Sequence, residues 1–157
     1  MKSGEPLPAS SYIDPSVFEV DREKIFYRTW QCVCHVSEVA APGDYVTYTV
    51  VDEEILVVRG QDRELRAFFN VCRHRGHPVA EGRGCRQSLV CGYHGWTYEL
   101  DGRLKAAPQA NSQDQHACEG LRLHGIRLEI YCGFVFINLD QKASPLAPTL
   151  PGLEQEL

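Results

Sequence analysis

Nowhere in the 157 residues is there an apolar run of the roughly 18 residues that a membrane-crossing helix needs. The opening residues, Met1-Lys2-Ser3-Gly4-Glu5-Pro6, contain no apolar stretch of the kind that begins an export signal. No segment repeats, and none is of low complexity. Positive charge is in deficit, with 16 Lys and Arg against 21 Asp and Glu and a net charge of −5. That excludes a general nucleic-acid binder. Together these absences predict a cytoplasmic chain with neither a membrane nor a nucleic-acid partner. What is present, 43% hydrophobic and 24% charged residues, is the balance of a folded domain and not of a disordered, collagenous or coiled-coil chain. The length suits one hydrophobic core.

Seven cysteines stand at 32, 34, 72, 85, 91, 118 and 132. A secreted disulfide scaffold is shorter and denser in cysteine, so free and metal-bound thiols in a reducing compartment are the better reading. Six histidines stand at 35, 74, 77, 94, 116 and 124. The two sets meet in one stretch, residues 72–94.

Residues 1–11 read as a loose arm. Asp14-Pro15 predicts a helix start, and Asp21 a second short helix through Tyr27 with Ile25 and Phe26 facing inward. From Trp30 on, strand signals dominate: Trp30 to Val36, Tyr45 to Val51, Glu54 to Arg59, Leu65 to Val71, Ser88 to Val90, Gly95 to Leu100, Leu121 to Ile130 and Gly133 to Leu139. Asp52-Glu53 reads as a tight turn, and Asp101-Gly102 as a type I′ hairpin. Residues 105–120 read as a long loop, and 141–152, with Pro145, Pro148 and Pro151, as a linker. Eight or nine short strands with little helix predict an all-β, mainly antiparallel barrel or sandwich.

The chemistry lies in Cys72-Arg73-His74-Arg75-Gly76-His77-Pro78 and Cys91-Gly92-Tyr93-His94-Gly95-Trp96. This is C-x-H, sixteen intervening residues, then C-x-x-H. Each half offers one thiolate and one imidazole on a short glycine-bearing loop. Zinc takes such a set tetrahedrally, although structural zinc sites usually begin from paired C-x-x-C knuckles. A Rieske [2Fe–2S] centre takes two cysteines on one iron and two histidines on the other. Both remain open on spacing alone, with the iron–sulfur centre favoured.

Beyond spacing, the flanking residues resemble the N-terminal Rieske domain of the α subunits of Rieske non-haem iron (ring-hydroxylating) oxygenases. The resemblance runs through Phe26 to Trp30, His35, Pro42 to Tyr45, the two ligand loops, Trp96 to Leu104 and Gly133 to Leu139. It implies a Rieske-type iron–sulfur protein domain over 31–140, with a β-sandwich or barrel base and a small cluster-binding subdomain. A short helical arm over 1–30 precedes it, and a linker into an absent catalytic domain follows over 141–157. It further implies a [2Fe–2S] cofactor with Cys72 and Cys91 on one iron and His74 and His94 on the other. A ferredoxin or flavin reductase is then the electron donor. The acceptor is a mononuclear Fe(II) in the catalytic domain of a neighbouring α subunit, reached past His94, where O₂ is used to hydroxylate or demethylate a small organic substrate. The D-x-x-H-x-x-x-x-H motif for that iron is not in these 157 residues. No catalytic residue is therefore assigned. A free-standing Rieske ferredoxin, a carrier and not an enzyme, is the alternative, although the N-terminal arm favours the α subunit.

Other residues invite weaker readings. Arg73, Arg75, Arg83 and Arg86 against Glu81 make a local charge of +3, which leaves −8 on the rest of the chain. This basic collar either docks an acidic partner or is a set of internally paired side chains. Cys32 and Cys34 read as a buried pair on one face of a strand, and Cys132 as core. Cys85 and Cys118 fall in expected loops, and Trp96 and Tyr98 read as packing beneath the cluster. His77 and Tyr93 occupy the places where respiratory-type Rieske proteins carry an additional disulfide. With fewer donors near the sulfurs, the midpoint potential is expected in the lower half of the range of about −150 to +300 mV. A redox titration that returns more than about +200 mV contradicts this.

Overall fold

Asp14 opens the first substantial helix in the computed structural model, which describes residues 6–108, 118, 120–152 and 155. Its carboxylate accepts from the Ser16 N–H at 2.9 Å and from the Ser16 hydroxyl at 2.7 Å. Pro15 takes the first helical position, where its missing N–H costs nothing. This helix, α2 (Pro15–Asp21), follows a single turn, α1 (Ser10–Ile13), that lies partly within the expected loose arm. Asp21 does not cap a new helix. The chain runs on into a π-helical turn, Arg22–Phe26, with no side-chain cap. Only one of Ile25 and Phe26 turns to the core from this π-helical turn. Phe26 packs on the core and Ile25 is left 46% exposed.

Ten strands follow among the described residues: β1 (Gln31–His35), β2 (Asp44–Val50), β3 (Glu53–Arg59), β4 (Leu65–Phe69), β5 (Arg83–Cys85), β6 (Leu89–Val90), β7 (Thr97–Tyr98), β8 (Leu104–Ala106), β9 (Gly125–Tyr131) and β10 (Phe134–Asn138). Every pairing is antiparallel. Seven strands form one sheet in the order β1-β10-β9-β4-β3-β2-β5, and β6-β7-β8 form a second. The expected all-β, mainly antiparallel fold is thus the fold observed. Two strands are additions to it. β5 is exposed at all three residues and so has no burial pattern to read. β8 begins at Leu104 and runs into the stretch expected as a loop, of which residues 109–117 lie outside the described set.

The large sheet buries both faces. Val33 and Cys34 of β1 share a core with Val46 and Val50 of β2, although four strands lie between them in the sheet, so the sheet curls around that core. Tyr45, Leu56, Val58 and Phe68 point the other way, into a second core with Cys72, Cys91, Trp96 and Tyr98. This is why Glu54 to Arg59 reads as an unbroken apolar run: Ile55 and Val57 face one core, Leu56 and Val58 the other.

Turn chemistry departs from expectation in three places. The β2–β3 turn is Val51-Asp52, one residue earlier than expected, with Val51 at a φ of 60°. The type I′ turn is Cys132-Gly133, where both φ values are positive (50° and 80°) between the partners Tyr131 and Phe134. Cys132 is therefore a half-buried turn residue and not core. At Asp101-Gly102 only the glycine has positive φ, and its N–H closes the turn onto the Glu99 carbonyl at 2.9 Å. The expected Cys32/Cys34 pairing on one face also fails. A bulge between them shifts the β1–β10 register, which buries Cys34 and exposes Cys32. The segment after residue 141 folds back over β9. Ser144 accepts from the Trp30 indole N–H at 3.0 Å, and Leu146 is buried with its N–H on the Glu129 carboxylate at 2.7 Å.

A strand buried on two faces carries a direct consequence. Leu56→Ala and Val57→Ala, adjacent but in different cores, should each cost about 2–4 kcal/mol in urea unfolding, and the double variant should come close to the sum. A near-neutral value at either site contradicts the two-core arrangement.

Candidate metal centre

Two short loops carry the candidate ligands, and they close in the same way. In the first, the Cys72 N–H donates to the His77 carbonyl at 2.9 Å and the Gly76 N–H donates back to the Cys72 carbonyl at 3.0 Å. In the second, the Cys91 N–H donates to the Trp96 carbonyl at 2.8 Å and the Gly95 N–H to the Cys91 carbonyl at 3.0 Å. Each loop thus runs from a cysteine through a glycine four residues on to a closing residue five on. Gly76 and Gly95 both hold the left-handed conformation, at φ 77° and 69°, that glycine adopts without a Cβ clash. The histidine is third in one loop and fourth in the other. C-x-H and C-x-x-H are therefore two placements of the imidazole on one backbone design.

Cys72 and Cys91 are 3% and 2% exposed, within hydrogen-bond reach of each other. His74 and His94 lie together toward solvent, with ring centroids 4.7 Å apart. The His74 ring stacks on Trp96 at 4.8 Å and 6°. Burial pushes the Cys91 thiol above its ordinary pKa, while the N–H groups of Tyr93 and His94 directed at its sulfur act against that rise. Burial, followed by His74, Arg75 and His77, holds the His94 imidazole below the usual histidine value.

Two buried polar residues support the loops. Asn70 is 1% exposed. Its Nδ2 donates to the Ala80 carbonyl at 2.8 Å, and its Oδ1 accepts from the N–H groups of Val79 and Ala80 at 2.9 and 3.1 Å, which ties off the first loop at its base. Nothing in the sequence marks it, because Asn70 falls inside the stretch Leu65 to Val71 that reads as a strand. Tyr98 is fully buried, as its packing role requires, but its hydroxyl does more. The hydroxyl accepts from the Arg73 N–H at 2.9 Å and lies 3.3 Å from Cys72 Sγ. Either atom can donate while Cys72 is a thiol, but a thiolate has no proton, so with Cys72 bound to a metal the hydroxyl is the donor. Burial and then the Cys72 contact raise its pKa.

The donor set fits the group that the motif suggests. Two soft thiol ligands are buried side by side, two imidazoles meet nearer the surface, and N–H and O–H donors face the sulfurs. Among the described residues no three His, Cys, Asp or Glu side chains converge as one metal ion would need. Two thiols and two imidazoles are the set that a Rieske [2Fe–2S] centre takes, two on each iron.

The basic collar does not persist as a unit. Arg73 donates to the Arg122 carbonyl at 3.1 Å, Arg83 lies 3.7 Å from Glu38, and Arg86 lies over the Tyr45 ring at 5.2 Å. Arg75 remains exposed beside His94. His35 is far from this chemistry: it caps the 3₁₀ turn Val36–Val39 and meets Phe134 edge-on at 5.3 Å. His124 is exposed, and His116 lies outside the described residues.

Comparison with known proteins agrees with this geometry. The model of the Rieske [2Fe-2S] domain matches residues 29–128. The chain belongs to that family. It is 43% identical over 148 residues to the carnitine monooxygenase oxygenase subunit of Escherichia coli, covering 94% of this chain and 40% of that protein. It is 38% identical over 155 residues to the glycine betaine monooxygenase oxygenase subunit of Chromohalobacter salexigens, covering 96% and 34%. The crystal structure of the apo form of the quaternary ammonium Rieske monooxygenase CntA superposes with a TM-score of 0.89 at 41% identity, over 96% of this chain and 44% of that one. Naphthalene 1,2-dioxygenase from Rhodococcus sp. superposes with a TM-score of 0.84 at 34% identity, over 94% and 34%. The chain spans about 40% of the length of the first of these relatives. Among the described residues no helix is long and apolar enough to cross a membrane.

Hydrogen bonding to a ligand sulfur stabilises the extra negative charge of the reduced state. Tyr98→Phe should therefore retain the cluster and lower its midpoint potential in a redox titration. An unchanged potential removes the assigned Tyr98 donation. Asn70→Ala strands two buried N–H groups and one carbonyl, and should cost about 2–4 kcal/mol in chemical unfolding.

Proposed function

We propose that this chain transfers single electrons through a Rieske [2Fe–2S] cluster, as the N-terminal domain of a Rieske oxygenase α subunit. The observation that carries the reading is the pairing on twin loops of two buried thiols, Cys72 and Cys91, with two outward imidazoles, His74 and His94. In this assignment the thiolates of Cys72 and Cys91 hold one iron and His74 and His94 hold the other. The cluster supplies reversible one-electron chemistry. The chain supplies its surroundings. The N–H groups of Tyr93 and His94 and the Tyr98 hydroxyl offset negative charge at sulfur, burial of both thiols excludes water, and the imidazoles form the edge nearest solvent.

The wider assignment follows from the relatives. A ferredoxin or flavin reductase is the proposed donor, and the mononuclear iron of a catalytic domain, on a neighbouring subunit, the proposed acceptor past His94. The identities to carnitine and glycine betaine monooxygenase subunits favour an oxygenase acting on a quaternary ammonium or related N-methylated substrate. The likeness to naphthalene 1,2-dioxygenase supports a second reading, ring hydroxylation. A free-standing ferredoxin is disfavoured, because both relatives are oxygenase subunits more than twice the length of this chain. Seven unbridged thiols suit a cytoplasmic setting.

Anaerobic reconstitution tests the assignment. The chain should take up two irons and two sulfides. On reduction it should give an EPR signal whose average g lies below the free-electron value. Cys72→Ser and Cys91→Ser should abolish uptake, and His94→Cys should move the spectrum toward that of an all-cysteine cluster. A chain that holds one zinc and no iron ends the proposal.

A further inference from the structure

Each ligand loop closes only on its own backbone, Cys72 with Gly76 and His77 in one and Cys91 with Gly95 and Trp96 in the other. Whatever holds the loops against each other must therefore come from side chains. At the base the Tyr98 hydroxyl reaches Cys72 and Arg73. In the middle His74 stacks on Trp96. At the tip a third contact involves no candidate ligand of the first loop: the His77 ring lies 5.7 Å from the Tyr93 ring at 42°. Tyr93 in turn lies 3.8 Å from the His94 ring at 32°. The three rings form a row from the tip of the first loop to the candidate ligand of the second.

His77 is anchored at both ends of this arrangement. Its carbonyl receives the Cys72 N–H at 2.9 Å, and its Nδ1 lies 2.9 Å from the Pro78 carbonyl. The plainer account is that two exposed rings touch without consequence, and Tyr93 is indeed 57% exposed. Against that account, both rings stand on residues tied to candidate ligands. His77 is bonded to Cys72 through its backbone, and Tyr93 packs on His94.

We propose that His77 and Tyr93 are positioning residues that clasp the two ligand loops together, with Tyr93 orienting the His94 ring. The proposal rests on the assignment of Cys72, His74, Cys91 and His94 as cluster ligands and adds to it two residues that ligate nothing. The clasp slows opening of the loops, and so slows loss of the cluster from its buried thiols.

The test uses the full chain, reconstituted, with bleaching of the visible spectrum followed under excess EDTA. His77→Ala and Tyr93→Ala should each speed cluster loss by about 3- to 10-fold, the size expected of one aromatic contact. The double variant should be no faster than the faster single, as for two residues sharing one interaction. Tyr93→Phe and His77→Phe keep a ring in place and should keep the wild-type rate. Tyr93→Ala should also change the EPR g anisotropy, and Tyr93→Phe should not. Unchanged rates, single effects that multiply in the double variant, or phenylalanine variants as fast as the alanines overturn the clasp. If an alanine variant fails to fold, as judged by its circular dichroism melt, the phenylalanine variants decide by the same criterion. If the wild-type chain takes up no cluster, the iron–sulfur assignment fails and the clasp is read separately by NMR. The His77 ring protons of the apo chain should then shift on Tyr93→Phe or Tyr93→Ala through the altered ring current, and an unmoved resonance in both overturns it.

Discussion

Two cysteine thiols held out of water beneath two short loops are the constraint from which most of this structure follows. A thiolate buried alone is expensive, because desolvation penalises its charge. Six-residue loops have no room to bury their own cysteines and at the same time supply compensating donors. The solution is a second core against the outer face of the curled sheet. Leu56, Val58 and Phe68 supply its floor, and Leu89, Trp96 and Tyr98 its walls around Cys72 and Cys91. β3 must therefore be apolar on both faces, and the three-stranded sheet β6-β7-β8 exists largely to bring Tyr98 and Trp96 under the loops.

The same constraint explains where polarity is admitted to the interior. Asn70 and Asn138 are the buried polar residues found, and each satisfies backbone groups that no strand reaches. Asn70 acts on the chain just before and just after the first loop. It replaces strand pairing where pairing would pull the loop flat. Tyr98 does the corresponding work from below, its hydroxyl accepting the Arg73 N–H and lying in hydrogen-bond contact with the Cys72 sulfur. Unpaired, either group would cost about 1–3 kcal/mol. Paired, they fix the loop bases relative to the sheet, as the proposed ligand role of Cys72 and Cys91 requires.

The sequence made some of this legible and hid the rest for physical reasons. C-x-H and C-x-x-H were visible because thiols and imidazoles at such spacing have few other uses. The strands β2, β3, β9 and β10 were visible because burial patterns their residues. β5 was not, because an exposed edge strand of three residues carries no pattern. The Cys32–Cys34 alternation misled because a bulge adds a residue without leaving a mark in composition. The type I′ turn was sought at Asp101-Gly102 on residue preference and found at Cys132-Gly133, where a hairpin between two long strands imposes it. Three of the four arginines of the basic collar each meet a different neighbour in the fold, Arg122, Glu38 and Tyr45, and Arg75 stays exposed. Asn70 and the Tyr98 hydroxyl could not be read, since their roles depend on partners nine or more residues away.

The one-residue difference between the loops carries a further meaning once their backbones are seen to match. Two identical loops carrying histidine at the same place would present two equivalent imidazoles. Moving the histidine from the third to the fourth position breaks that equivalence without altering either closure. His74 then lies flat on Trp96, backed by the core, while His94 leans on the exposed Tyr93 with Arg75 close by. The rings meet at 72°, nearly edge to face. The two imidazole edges of the candidate centre thus differ, and the difference is built from spacing. The asymmetric motif, usually read only as a signature, is in this light the smallest change that makes two copies of one loop unequal.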